Sequence, residues 1–150
     1  MKQLNQLICP ASPERVDENQ VRITALFVVV MMGMFFISGS PIFPTLLAVD
    51  FFIRAFTGLN HSPLSYLASL IIKVIGTQTV LIDKAPKVFA ARIGFVFTLV
   101  TALGALLHWP LLAYISGSVL VLFAFLECGL NFCMGCWVYT FVVYPLFRKK

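Results

Sequence analysis

The stretch VRITALFVVVMMGMFFISGSPIFP, residues 21–44, decides the fold. The hydrocarbon core of a bilayer is roughly 30 Å thick and takes about 20 apolar residues in a helix, with a range of about 17–25. Residues 21–37 meet that requirement, with Arg22 at their edge. Ser-Gly-Ser-Pro at 38–41 then stops the helix, because proline has no N–H to continue the ladder and glycine punctuates the chain. Pro44 suits the first turn of a following helix, which runs to about residue 57 and ends at Gly58 and Asn-His-Ser-Pro. The reading is helix, tight turn, helix, with lipid as the solvent.

Composition agrees. The chain has 150 residues, 60% of them hydrophobic and 11% charged. Soluble domains are only about 45–50% apolar. The formal charge of +5 does not point to nucleic acid, since the basic residues flank apolar runs and form no aromatic-interleaved patch. The polar first twenty residues lack the apolar core and small-residue cleavage site of a signal peptide, and they read as a cytoplasmic segment.

Working outward, residues 90–107 and 111–131 supply two further spans, separated by His-Trp-Pro at 108–110. The expected fold is an all-α integral membrane domain over 21–150. It has four transmembrane helices in a small bundle (about 21–37, 44–57, 90–107 and 111–131) and an inner-leaflet interfacial helix at about 64–82. All eleven Lys and Arg lie in the N-terminal segment or at the adjoining edge of the first span, in the 54–92 region or in the C-terminal tail. By the positive-inside rule both termini then face the cytoplasm. Residues 64–82 leave a fifth span open. Residues 129–147 are also long enough to cross. A single helix from Leu111 to Phe147 would be about 55 Å long, so a bend or break is expected at Cys-Gly-Leu-Asn, 128–131.

Two thiols occur three residues apart, in Cys133-Met-Gly-Cys136. On a helix, residues at that spacing share one face, near disulfide reach. A redox C-x-x-C usually places its first thiol at a helix N-terminus, where the thiolate is favoured. A helix break before Cys133 would give that placement. Cys9 lies on the same membrane side as a candidate exchanging thiol, whereas Cys128 is expected to point elsewhere and pack. Soft-metal binding is a competing use of the pair, but zinc commonly takes two spaced pairs of ligands and only one such pair is present. No metal or other cofactor is expected.

Charges inside apolar segments form the second group of candidates. Asp50 and Arg54, four apart, can pair on one helix face. Left unpaired near mid-depth, such a charge costs at least about 2.5–3.5 kcal/mol. Glu127 precedes the cysteines, with Arg92 as its expected partner. In Asp83-Lys-Ala-Pro-Lys87, Asp83 reads as an N-cap, while Lys84 and Lys87 read as anchors or as contacts for an anion. Asp17 or Glu18 favours a helix start. Ion pairing for packing and a polar cavity both remain open for these charges.

The segments Cys9-Pro10, VDENQVRITALFVVV (16–30), DKAPKVFAARIGFVFTL (83–99) and FCMGCWVY (132–139) together resemble the bacterial membrane family called domain of unknown function 4395. Its closing pattern, Cys-x-Gly-Cys with a nearby Tyr, matches Cys133, Gly135, Cys136 and Tyr139. The resemblance implies a small polytopic protein of the bacterial cytoplasmic membrane, with thioredoxin-like or sulfurtransferase proteins as associates. It implies no activity.

The functional expectation is thiol redox or sulfur-relay chemistry at the cytoplasmic face, carried by Cys133, Cys136 and Cys9. The polar cluster is Asp50, Arg54, Asp83, Lys84, Lys87, Arg92 and Glu127. A non-catalytic membrane subunit or small-solute conduit, with packing cysteines, is the alternative from another class. The bilayer is the expected partner, nucleic acid is not, and a homo-oligomer is compatible with the sequence.

Overall fold

The computed structural model describes residues 15–57, 61–130, 132–143 and 145–146. In chain order they form β1 (Arg15–Asp17), α1 (Glu18–Ser38), α2 (Ile42–Phe56), α3 (Pro63–Ile75), β2 (Leu81–Asp83), α4 (Lys84–Leu106), α5 (Pro110–Leu130) and α6 (Met134–Val138). A π-helical turn, Tyr139–Val143, follows.

Local chemistry sets the ends of these helices. The Asp17 side chain accepts the Asn19 N–H and caps α1. Gly39, at φ 66°, closes it in the left-handed region. Ser62 caps α3, whose first residue is Pro63, and Gly76 at φ 70° ends it. Pro44 and Pro86 sit in the first turns of α2 and α4.

Helices α1, α4 and α5 are long and apolar enough to cross a membrane. Their outward residues are large and apolar at helical spacing: Leu26, Val30, Met34 and Ile37 on α1, and Val96, Leu99, Leu103 and Leu106 on α4. Apolar surface of this extent has no place in water and fits lipid. Inside, Met32, Leu47, Val28, Thr24, Thr98 and Thr101 are fully buried. Small residues let the helices close up. A Cβ on Gly94 would stand 2.5 Å from the Phe51 ring, and one on Gly117 would stand 2.8 Å from Met32 Cε. The Thr101 and Ser116 hydroxyls, 2.8 Å apart, join α4 to α5.

One region differs from the sequence expectation. The helix expected over about 64–82 is α3, which ends at Ile75 because Gly76 turns the chain. Residues 81–83 then form a strand paired antiparallel with 15–17, Arg15 facing Asp83. This small sheet holds the starts of α1 and α4 side by side. The second span expected, about 44–57, corresponds to α2. At about 1.5 Å per residue, the 15-residue α2 spans about 22 Å, which is short of the hydrocarbon core.

Candidate functional site

The polar groups collect where the start of α1, the start of α4 and the end of α5 meet. Arg22 donates from Nε and Nη2 to the Cys128 carbonyl, at 3.3 and 3.2 Å. That bond satisfies one of the carbonyls a helix end leaves without a partner. Helix α5 stops at Leu130, and a new helix begins after Cys133. The break expected at 128–131 is therefore present.

Cys133 is the N-cap of α6, with extended backbone at φ −90° and ψ 104°. Its Sγ accepts the Cys136 N–H at 3.3 Å. The Cys136 thiol also donates to it, which pulls the Cys133 thiol below its ordinary pKa despite its burial. Cys136 moves the other way. It gives its S–H to Cys133 and is itself buried, so its thiol is pushed well above the ordinary value. The two are free thiols, shifted in opposite directions by the contact between them.

Gly135 allows α6 to lie against α4. A Cβ there would stand 2.5 Å from Ala90 Cβ and 2.6 Å from Ala90 Cα. On the same seam Phe89 and Tyr139 pack ring to ring, centroids 5.6 Å apart. The need for glycine at this position is invisible in the sequence; only the family pattern around the cysteines marks it.

Lys87 Nζ donates to Glu127 Oε1 at 2.7 Å, tying α4 to α5 beside the cysteines. Arg92, the partner expected for Glu127, is instead exposed on α4. Position 87 lies one turn nearer the end of α5, and this places Lys87 against Glu127. The expected Asp50–Arg54 pairing is present, with Arg54 Nη1 3.7 Å from Asp50 Oδ2. Asp50 Oδ1 also accepts the Leu64 N–H at 3.1 Å, so this carboxylate ties α2 to the start of α3. Arg54 lies over the Phe51 ring, 5.1 Å from its centroid, and its Nε lacks a hydrogen-bond partner among the described residues.

A partly open cavity of about 110 Å³ brings Arg54, Lys87, Glu127 and Cys133 to one space. Its walls are otherwise apolar, from Val28, Phe51, Leu120, Phe123, Ala124 and Met134 among others. Cys128 does not line it and faces a second cleft with Asn19, Arg22 and Thr77. Lys84 is half-buried at the start of α4. Cys9 and the side chain of Asp83 lie outside the described residues. Among the described residues no three His, Cys, Asp or Glu side chains group as metal ligands.

A bundle of apolar helices with a thiol pair and buried ion pairs at one end defines a helical membrane protein with a polar, thiol-bearing pole. Residues 16–143 match the family model described as Domain of unknown function (DUF4395), and the chain belongs to that family. No curated protein and no solved structure matches it.

Proposed function

We propose that this protein performs thiol–disulfide exchange, or relays sulfur, through Cys133 and Cys136 at one face of the membrane. The observation that carries the reading is the asymmetry of the pair: one sulfur accepts two hydrogen bonds and favours the thiolate, while the other retains its proton. The Cys133 thiolate attacks one sulfur of a partner disulfide, forming a mixed disulfide and releasing the partner's other sulfur as a thiolate that takes up a proton. Cys136 then loses its proton and attacks Cys133 Sγ. The intramolecular disulfide closes, and the second partner sulfur leaves and is protonated. Two electrons pass from the pair to the partner. With a partner persulfide, attack at the outer sulfur would leave a persulfide on Cys133 and release the partner thiolate.

The geometry supports the topology on which this rests. The β1–β2 sheet, the Arg22–Cys128 bond and the Lys87–Glu127 bond gather the starts of α1 and α4 and the end of α5 at one pole. The chain must return to that pole between α1 and α4, and α2 is the return. It acts as a short fourth crossing, its ends met by polar groups or a thinned bilayer. In the first turn of α3 the Ser65 carbonyl accepts from Gln20, and in the chain after α3 the Gln78 carbonyl accepts from Asn19. Both ends of α3 thus lie near the first turn of α1, as an interfacial helix requires. The positive-inside rule, applied to the basic segments, supports a cytoplasmic side for this pole, the termini and the thiols. Disulfides there are transient, which suits exchange with thioredoxin-like or sulfurtransferase partners.

A trapping experiment tests the reading. With the protein in lipid nanodiscs, glutathione disulfide should leave a persistent mixed disulfide on the Cys136→Ser variant and none on Cys133→Ser. Equal labelling of the two variants, or none of either, would refute it.

A further inference from the structure

The pair needs somewhere to send or take its electrons, and the cavity beside it has a definite chemical character. Its charges cancel: Arg54 is balanced by Asp50 behind it, and Lys87 by Glu127. An anion entering would lose its hydration and meet no net positive charge, so an anionic ligand is disfavoured. The walls are apolar, with the flat rings of Phe51 and Phe123 among them. A volume of about 110 Å³ is of the order of the roughly 150 Å³ cavity that accommodates a benzene ring. Two buried polar atoms lack a hydrogen-bond partner among the described residues, Asp50 Oδ2 and Arg54 Nε, and of these two residues Arg54 lines the cavity. Arg54 is only 7% exposed, lines the cavity, and keeps Nε without a hydrogen-bond partner among the described residues. A guanidinium has five N–H donors and no acceptor, so the missing partner is an acceptor oxygen. The fitting ligand is neutral and apolar, one ring in size, carries a carbonyl oxygen and dissolves in the bilayer around the helices.

We infer that the cavity binds the ring of a membrane quinone, held by Arg54 at a carbonyl oxygen, and that this quinone oxidises the Cys133–Cys136 pair. The inference rests on the thiol chemistry proposed above, run in its reverse direction: a partner dithiol is oxidised to its disulfide as it reduces the Cys133–Cys136 disulfide, and the quinone is the acceptor that re-oxidises the pair. In the reaction two S–H bonds break and one S–S bond forms. The two electrons and two protons pass to the quinone, whose carbonyl oxygens become the hydroxyls of a hydroquinone. Cys133 is the sulfur that lines the cavity, so it meets the ring, and Cys136 closes the disulfide behind it.

The test is a single turnover of pre-reduced, desalted protein in nanodiscs with decylubiquinone. Quinone absorbance and free thiols are followed together, with glutathione disulfide as a parallel oxidant. About one quinone should be reduced per pair of thiols lost, and both Cys133 and Cys136 should be required. The neutral double variant Asp50→Asn with Arg54→Gln should need about tenfold or more quinone for the same rate, as loss of a hydrogen bond to a charged group implies. Its oxidation by glutathione disulfide should change less than twofold. Ala124→Leu, which fills the cavity without altering a charge, should do the same and serves if the double variant misfolds. A pair that cycles with glutathione disulfide but leaves quinone unreduced would overturn the quinone site alone. So would an unchanged quinone requirement in both variants. A pair that neither oxidant touches would overturn the thiol chemistry with it.

Discussion

Lys87 and Glu127 are forty residues apart in the chain and 2.7 Å apart in space. They lock α4 to α5 at the cavity that Cys133 also lines. Both side chains are largely buried, at 9% and 19% exposure, so neither is easily satisfied by water if its partner is lost.

Breaking that pair from one side should therefore cost more than removing it whole. Removing one partner of a buried pair typically costs about 3–5 kcal/mol, because the other charge stays buried and unpaired. Lys87→Met and Glu127→Gln should each destabilise the protein by an amount in that range, read as a lower thermal midpoint in nanodiscs. The double variant should recover most of the loss. Additive losses would mean that the two side chains act independently.

The contact between α6 and α4 makes a second prediction. Gly135→Ala inserts a methyl where Ala90 already stands, and overpacking of this kind costs about 1–3 kcal/mol. The thiols should then become more accessible to a maleimide, since α6 must lift away. Ala90→Gly should restore only part of the fit: it removes the Cβ at 2.5 Å but leaves the Cα at 2.6 Å.

Titration should separate the two cysteines. The Cys133 thiol is lowered chiefly by the hydrogen bond from Cys136, and Cys136 is raised by giving it. Alkylation of Cys133 should therefore begin at lower pH than for an ordinary thiol, and that of Cys136 only at higher pH. In Cys136→Ala the Cys133 profile should move up, and in Cys133→Ala the Cys136 profile should move down. Mass-resolved alkylation rates across pH would measure both shifts. Identical profiles for the two thiols would contradict the assigned hydrogen bond.

The Thr101–Ser116 bond should matter less than its burial suggests. Hydrogen bonds between membrane helices average about 0.6 kcal/mol and reach about 1.7, because the separated helices find other partners. Each hydroxyl has one proton and also lies within hydrogen-bond reach of a carbonyl of its own helix, Thr101 at Phe97 and Ser116 at Leu112, so the bond between them competes with these for two protons. Thr101→Val with Ser116→Ala should cost under about 2 kcal/mol by thermal unfolding.

How much of this was legible in the sequence depends on whether the signal was local. The turn at 38–41, the cap at Asp17 and the break before Cys133 rest on residues a few positions apart, and the chain displays them directly. The Asp50–Arg54 pair was readable for the same reason, since four residues make one helical turn. Lys87–Glu127 was not, because it depends on how α4 and α5 rotate against each other. Arg92 was an equally reasonable partner until that rotation was known. The 15–17 and 81–83 strands were hidden because each is three residues long and stabilised by the other, with no alternating pattern of its own. The Gly135–Ala90 contact was hidden because close approach needs two helices to be placed. The cavity depends on five.

The most direct test of the central claim is the intact mass of the membrane-embedded protein before and after mild oxidation, with Cys9→Ser, Cys133→Ser and Cys136→Ser variants alongside. The account predicts a reversible loss of two hydrogens, or the gain of one sulfur from a persulfide donor, that requires Cys133 and, for the disulfide, Cys136. Thiols that stay reduced and unlabelled at these positions, with unchanged mass, would contradict it and leave the cysteines as packing residues.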